Sequence, residues 1–350
     1  RVERYKKGDL IMIRYDKAAL PLAEVLYPRL LEKGYHVTQR MSLTERMEHA
    51  YYRLADPAQL VFKTPGDQEL FNALNGLISL RAPENITHLK TIEPDKIGKA
   101  AVARKYLNDI LDVREAQGLF GWTLCICPTE ELANHAGMTI GEYTDQIVKA
   151  CFLNRKDPLL HWKDIYKQAQ SIKKWLNSMK VKFYKIESEN INLEIIPGEH
   201  RKWVGISGHN IPSFELFISP DWRGTSGVYY ADQPTYRSGN YARGIRLEFR
   251  NGSAVSVEAQ EGLEFVRKQL AMDEGASRVG EFSLTDKRFS KIDRFMANTL
   301  YDENFGGKSG NCHIALGASY SDTFDGNPAE LTKERKAKLG FNDSALHWDM

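Results

Sequence analysis

The amino-acid sequence predicts an α/β N-terminal domain with a mainly parallel sheet, followed by a strand-rich α+β C-terminal domain. Residues 9–54 alternate between apolar strand-like runs and segments with helical spacing, a rhythm typical of parallel strands connected by helices. After about residue 182, short strand-like runs separated by turns take over and helices become rare. We therefore expect two domains, at residues 1–180 and 181–350.

The N-terminal half supplies the clearest individual elements. The apolar run DLIMIRYD at 9–16 lies between two aspartates and predicts a buried strand. Residues 18–34 place apolar side chains at helical spacing and end at Gly34, which predicts a helix closed by a glycine. Further predicted elements are a strand at 36–42, a helix near 43–54, a strand at 119–129 and helices near 139–153 and 161–180.

In the C-terminal half, short apolar runs bounded by turn residues predict strands. One helix is expected among them, at 261–272. The runs are VKFYKIES, INLEIIP, KWVGISG, FELFISP, GVYYADQ, IRLEFRNG and SAVSVEAQ.

Composition excludes several classes of partner. The 48 basic and 46 acidic residues are interspersed and leave a net charge of +2, with no basic arm or acidic tail, so the sequence gives no support for nucleic-acid or membrane-surface binding. No apolar run is long enough to span a bilayer. The four cysteines are sparse and lie in apolar settings, which is typical of free thiols in a reducing cytoplasm.

Two short motifs are attractive but incomplete. Gly307, Lys308 and Ser309 match the end of a phosphate-binding loop, but the loop's first glycine would fall at Asp302 and no helix start follows. We therefore predict a turn there. Cys125 and Cys127 could form half of a metal site, but a buried strand with small apolar side chains explains them better. The sequence contains neither HExxH nor GxSxG.

Charged side chains inside apolar runs are the strongest functional signal. Glu215, Glu281 and His313 each lie in such a run, and His347 and Asp349 are two residues apart, so on a strand they project from one face. Each alone has an ordinary explanation as an outward-facing polar residue or a core histidine. Because an ionised carboxylate in an apolar setting is costly unless it is paired or binds a metal, the group together predicts a mixed oxygen and nitrogen site for two divalent ions. Glu303, in the acidic YDEN segment, could add a fourth carboxylate.

At these residues the sequence resembles the aminopeptidase T and aminopeptidase S family, the thermophilic-type binuclear metallo-aminopeptidases. The resemblance covers most of the chain and is sharpest at FELFISP, VGEFSL, LYDEN, CHIALGASY and NDSALHWDM. In many family members DEN is followed closely by CH, whereas FGGKSG intervenes here, so Glu303 departs from the pattern. The family also continues past the HxD motif, which implies that this chain, ending at Met350, is a fragment.

The resemblance implies an enzyme that releases N-terminal amino acids from short peptides through a water bridging two metal ions. It assigns Tyr320 a catalytic role as a hydrogen-bond donor to the oxyanion, and we expect Glu281 to help deprotonate the water. It also implies a homodimer. Zn, Co, Mn and Mg all tolerate such a ligand set. The ligands implied are Glu215, Glu281, Glu303, His313, His347 and Asp349.

Two alternatives remain open at the level of sequence. A binuclear amidohydrolase or phosphoesterase acting on a small molecule would use the same ligands. The N-terminal domain could also be a binding module, with the C-terminal acids and histidines forming only a closed structural metal site.

Overall fold

The computed structural model describes residues 4–350. Three five-stranded sheets, together with a two-stranded one, form the framework of this described part of the chain. Helices predominate before residue 180 and strands after it, as the sequence predicts. The elements of the first half are β1 (Leu10–Tyr15), α1 (Leu20–Glu32), β2 (His36–Met41), α2 (Glu45–Leu54), α3 (Pro57–Leu60), α4 (Asp67–Ala73), β3 (Gly76–Arg81), α5 (Pro94–Ala116), β4 (Gly121–Ile126), α6 (Glu130–His135), α7 (Ile140–Ala150) and α8 (Pro158–Ser178).

The second half contains most of the strands and three short helices within the described residues. All seven predicted runs contain a strand. Its elements are β5 (Tyr184–Glu187), β6 (Asn192–Ile195), β7 (Val204–Gly205), β8 (Asn210–Ile211), β9 (Glu215–Ile218), β10 (Ser226–Ala231), β11 (Thr235–Arg237), β12 (Asn240–Ala242), β13 (Ile245–Arg250), β14 (Ser253–Glu258), α9 (Leu263–Leu270), β15 (Val279–Thr285), α10 (Thr299–Asp302), β16 (Asn311–Gly317), α11 (Lys333–Lys338) and β17 (His347–Asp349).

The helix expected at 261–272 is α9, which spans 8 residues between Leu263 and Leu270.

The first sheet is parallel and has the strand order β2-β1-β3-β4-β8. Its strands pair in parallel throughout, β8 included. Helices α1 to α5 connect the first four strands, which confirms the predicted α/β arrangement. The short β8 comes from the second half of the chain, so this sheet joins the two halves.

The other two large sheets are antiparallel. One has the order β14-β13-β10-β6-β5 and the other has the order β17-β16-β15-β9-β7. The largest buried cluster runs through both and also takes in side chains of α6, α7 and α8, among them Tyr143, Ile165 and Leu176. These three helices therefore pack on the strand-rich half.

Five elements of the first half were not predicted from the sequence: α3, α4, β3, α5 and α6. Strand β3 and the 23-residue helix α5 lie in a stretch to which no element was assigned. The apolar residues of α5 are spread around its circumference, because the helix contacts α4 and α9 as well as the sheet region. A helix covered on several sides lacks the single apolar stripe by which sequence patterns are recognised.

The predicted domain boundary near 180 falls in the link between α8, ending at Ser178, and β5, starting at Tyr184. The division into domains 1–180 and 181–350 stays a prediction, since β8 pairs with β4 and the largest core includes residues from both halves. Within residues 4–350, no helix combines the length and apolar character needed to cross a membrane.

Candidate metal centre

Five of the predicted site residues lie on four strands of the antiparallel sheet with the order β17-β16-β15-β9-β7. Glu215 begins β9, Glu281 lies on β15, His313 lies on β16, and His347 and Asp349 lie on β17. These strands are neighbours in the order β17-β16-β15-β9. Residues more than 130 positions apart in the chain are therefore brought within a few strand spacings of one another.

The register places these side chains on one face of the sheet. His313 pairs with Ser283, and Glu215 pairs with Thr285, two positions further along β15. Asp349 pairs with Ala315, which itself pairs with Glu281. Directly opposed residues of antiparallel strands share a face, and so do residues two apart. The alternate positions supply the apolar core on the other face: Leu216, Ile218, Phe282, Ile314, Leu316 and Trp348.

His313 lies at the centre of the group. Its Nε2 is 3.4 Å from Glu215 Oε2, 3.5 Å from Glu281 Oε1 and 3.8 Å from Asp349 Oδ1. The imidazole is 3% exposed, and neither ring nitrogen has a hydrogen-bond partner among the described residues. A buried imidazole surrounded by carboxylate oxygens beyond hydrogen-bond distance leaves room for a bound cation.

Glu281 connects two sets of ligand atoms. One set is Glu215, Glu281 and His313, and the other is Glu281, His347 and Asp349; within each set the ligand atoms lie within 4.8 Å of one another. Oε1 of Glu281 faces His313, whereas its Oε2 is 3.7 Å from His347 Nε2. His347 Nε2 is also 3.3 Å from Asp349 Oδ1. The two carboxylate oxygens of Glu281 thus face different imidazoles.

The electrostatics show how strongly these groups interact. Burial, reinforced by the nearby Glu281, raises the pKa of Glu215 to about 8. Burial would lower the pKa of both imidazoles, but contact with Glu281 raises that of His313 to about 9, and Asp349 does the same for His347. Burial opposes ionisation of Asp349 too, yet His347 holds its pKa at about 2. Without a metal ion, protons on the imidazoles supply the positive charge that the carboxylates require.

Further hydrogen bonds orient the candidate ligands. Ser283 Oγ–H donates to Glu215 Oε2 at 2.8 Å. His347 Nδ1 lies 2.9 Å from the carbonyl oxygen of Ala318, so Nδ1–H donates there and Nε2 is left to face the cluster. Fixing one ring nitrogen in this way selects the tautomer that can bind a metal through the other.

Glu303 lies close to the cluster but belongs to neither set of converging ligand atoms. It follows α10 and is 9% exposed, and its Oε1 accepts a hydrogen bond from Asn210 Nδ2 at 3.2 Å. Burial, followed by the nearby Glu215 charge, raises its pKa well above the usual range. The adjacent Asp302 instead accepts backbone N–H groups of Met296 and Asn298, which gives it a structural role.

Tyr320 lies at the rim of the cluster and is 38% exposed. Its ring centroid is 4.6 Å from that of His347 and 5.6 Å from that of Phe217. Ser219 Oγ accepts its backbone N–H at 2.8 Å, which fixes the chain where it leaves β16. The Tyr320 ring therefore lies beside that of His347, one of the candidate ligands.

The phosphate-loop pattern is a turn, as predicted, whereas Cys125 and Cys127 are half-buried and not fully buried, and Cys127 lies just beyond β4. Residues 307–309 form a turn that leads into β16 and not into a helix. All four cysteines are free, with Cys125 at the end of β4. Neither motif is part of the cluster.

A small cleft of about 60 Å³ opens over the cluster. Among its lining residues are Glu215, Glu281, Glu303, Tyr320, His347 and Asp349. Trp122 from β4, residues of the segment 205–210 that include His209 and Asn210, and also Ser213 and Phe217 line the rest of the wall. No pattern in the sequence singles out Trp122, His209 or Asn210. Ser283 was not predicted either, although the two-residue period of a strand places it on the same face as Glu281.

The donor set fits divalent metal ions. Burying so many carboxylate and imidazole groups together costs free energy unless a cation binds to them. Neither ring nitrogen of His313 has a hydrogen-bond partner among the described residues, so both are free to meet one. Such a cluster, facing a cleft beside a phenol, is typical of metal-dependent hydrolases.

Comparison with known proteins identifies the family. Residues 2–350 match the family model described as thermophilic metalloprotease (M29), and the chain belongs to this family. The solved structure of wild-type AmpT from Thermus thermophilus has the same fold, with a TM-score of 0.75 at 24% identity over 99% of this chain and 88% of that one.

Curated relatives are similar over most of the chain. Aminopeptidase 2 of Geobacillus stearothermophilus is 28% identical over 306 residues, which cover 81% of this chain and 71% of the relative. Aminopeptidase T of Thermus thermophilus is 28% identical over 75% of this chain and 66% of its own length. Aminopeptidase AmpS of Bacillus subtilis is 28% identical over 65% of this chain and 56% of its own length. Family and relatives together make this chain a metal-dependent aminopeptidase, which releases N-terminal amino acids from peptides.

Proposed function

We propose that the enzyme binds two divalent ions and shares Glu281 between them. One ion takes Glu215, Glu281 and His313, and the other takes Glu281, His347 and Asp349. The observation that carries this proposal is the orientation of Glu281, whose two oxygens face His313 and His347 separately. Glu303 is the additional carboxylate that completes the ligand set.

The protein groups divide the chemistry between them. Bound ions would acidify a water and polarise the scissile carbonyl. Glu281 accepts the proton of the attacking water, and Tyr320 donates its O–H to the oxyanion that develops on the carbonyl oxygen. Ser283 and Ala318 hold Glu215 and His347 in place during turnover.

The proposed substrates are short peptides with a free N-terminus, processed in the cytoplasm by a homodimer. The cleft over the cluster is small, which supports access by a flexible chain end and not by a folded surface. The preference for a free amine is supported by the relatives named as aminopeptidases. The pairing of two subunits rests only on the resemblance seen in the sequence.

A substrate panel tests this proposal. The purified enzyme, loaded with each of Zn, Co, Mn and Mg in turn, is given aminoacyl-p-nitroanilides, unblocked tripeptides, their N-acetylated counterparts and phosphoesters. We expect hydrolysis of the unblocked substrates only. Cleavage of acetylated peptides at a similar rate, or of phosphoesters in preference to peptides, would contradict the proposal.

A further inference from the structure

Two stacked rings form a wall of the cleft that the catalytic chemistry does not use. Trp122 on β4 and His209 in the loop before β8 have ring centroids 4.4 Å apart and planes inclined by 9°. Both rings line the same cleft as Glu281 and Tyr320. We refer to Trp122 and His209 as the stacked pair.

A single carboxylate holds both rings. Trp122 Nε1–H donates to Glu115 Oε2 at 3.2 Å, and His209 Nε2 lies 2.9 Å from Glu115 Oε1. Glu115 lies near the end of α5, so the three groups come from three separate parts of the chain. A carboxylate that uses one oxygen for each ring fixes their spacing and orientation.

The backbone around His209 is fixed as well. Its carbonyl oxygen accepts the N–H of Leu124 at 2.7 Å, and the Gly208 carbonyl accepts the Thr123 hydroxyl at 3.0 Å. Earlier in this loop, Ile206 is buried with φ of 51°, a conformation that is unusual for a β-branched residue. Such strain persists only where the surroundings enforce it, and it clusters at functional sites. The stacked pair is therefore a preformed, rigid surface.

The position of the stacked pair indicates which part of a substrate it meets. Glu215, Glu281 and Glu303 are all at most 9% exposed and form the closed end of the cleft, whereas Ser207 and Gly208, next to His209, are exposed. An aminopeptidase substrate has nothing before its first residue, so that residue fits the closed end. The remainder of the peptide leaves through the open part of the cleft, which the stacked pair lines.

We propose that the stacked pair binds the side chain of the substrate's second residue, the one after the scissile bond, and favours flat or bulky apolar side chains there. This inference rests on the proposed function, since it takes the cluster as the place of cleavage. Glu115 is a positioning residue that acts through the two rings. Aromatic contacts of this kind contribute about a tenfold preference.

Two dipeptides that differ only in the second residue test the proposal. For Leu-Phe and Leu-Gly, we expect Trp122→Ala to lower the ratio of their kcat/KM values by about tenfold, with most of the change in KM for Leu-Phe. Trp122→Phe should retain most of the ratio. The matched control is Trp175→Ala, which removes a tryptophan that is 61% exposed on α8 and should leave the ratio unchanged.

Glu115 offers an independent test if loss of the indole disturbs folding. Glu115→Leu removes both hydrogen-bond acceptors and should lower the same ratio, whereas Glu115→Gln retains an acceptor and should restore part of it. An unchanged ratio in Trp122→Ala and Glu115→Leu would overturn the inference. So would a change of preference for the first residue, measured with Ala-Gly, Leu-Gly and Phe-Gly. A wild-type enzyme that cleaves none of these dipeptides and none of the unblocked substrates of the panel would instead refute the proposed function.

Discussion

Glu281 is the residue on which the two-ion arrangement depends. It is 3% exposed and lies between His313 and His347. The substitution Glu281→Gln preserves shape but removes the charge and the basic oxygen. We expect turnover to fall at least ~10²-fold, the scale of general-base loss, together with weaker metal binding. Steady-state kinetics and metal analysis of the purified variant provide the measurement.

A matched substitution separates this effect from a general response to lost charge. Glu258 is also a strand glutamate, but its side chain is 66% exposed on β14. Glu258→Gln should behave like the wild type. Wild-type turnover in Glu281→Gln would show that this carboxylate has no part in the reaction.

Tyr320 makes a contribution that is separate from metal binding. Its ring packs beside His347 and Phe217, so Tyr320→Phe keeps the packing and removes only the hydroxyl. We expect kcat and kcat/KM to fall together by roughly 10²–10³-fold, because the hydrogen bond strengthens in the transition state. Metal content and Tm should stay close to wild-type values.

The control for Tyr320→Phe is Tyr166→Phe. Tyr166 lies on α8 and is 52% exposed, so this substitution should leave the kinetics unchanged. If Tyr320→Phe raised KM alone, the hydroxyl would position substrate and would not stabilise the oxyanion. A lower Tm with unchanged kcat would assign Tyr320 to packing.

At the scale of elements, the junction of β16 and β17 sets the position of two ligands. Gly317 pairs with His347 and has φ of 105°, and a Cβ there would lie 2.1 Å from the carbonyl oxygen of Leu346. Gly317→Ala must therefore push β17 away from β16. We expect a loss of stability of about 1–3 kcal/mol, together with weaker metal binding.

Gly66 provides the control for backbone strain. It also has positive φ, at 85°, but no heavy atom lies within 4 Å of an added Cβ. Gly66→Ala should lose some stability and leave metal affinity unchanged. Equal metal affinity in Gly317→Ala and wild type, measured by titration of the chelated proteins, would contradict the account of this junction.

How far the sequence predicts these elements depends on how local the signal is. Strand β1 and helix α1 follow from runs of apolar residues with clear periods, and charges embedded in such runs pointed to Glu215, Glu281 and His313. Helix α5 and the stacking of Trp122 on His209 depend on which distant segments meet, here β4 and the loop before β8. No local pattern in a single sequence contains that information.

At the scale of the whole molecule, a rise in pH has two opposite effects: it lowers the stability of the metal-free protein and strengthens metal binding. In the metal-free protein the pKa values of His313 and His347 are about 9, above the value near 6.5 for unfolded chains. Their protonation stabilises the fold fully below about pH 6.5, and this contribution is lost as pH rises through about 9. Glu215, with a pKa of about 8, contributes with the same sign. The Tm of the chelated enzyme should therefore fall between pH 6 and pH 9.

Metal binding requires deprotonated ligands, so the increase in Tm on adding ions should grow over the same pH range. Asp349, with its pKa of about 2, stays ionised throughout and does not alter the trend. Thermal unfolding with and without metal at several pH values gives both curves. Parallel curves would show that His313, His347 and Glu215 do not lose protons when metal ions bind.

The stoichiometry of reactivation tests the central claim, that two ions share Glu281, most directly. The enzyme is stripped by exhaustive chelation, confirmed as metal-free, and titrated with one divalent metal while metal binding and hydrolysis of an aminoacyl-p-nitroanilide are followed together. We predict no activity at the start, full activity at two ions per chain, and weaker binding at both positions in Glu281→Gln. Full activity in the metal-free enzyme, or saturation at one ion per chain, would contradict this account.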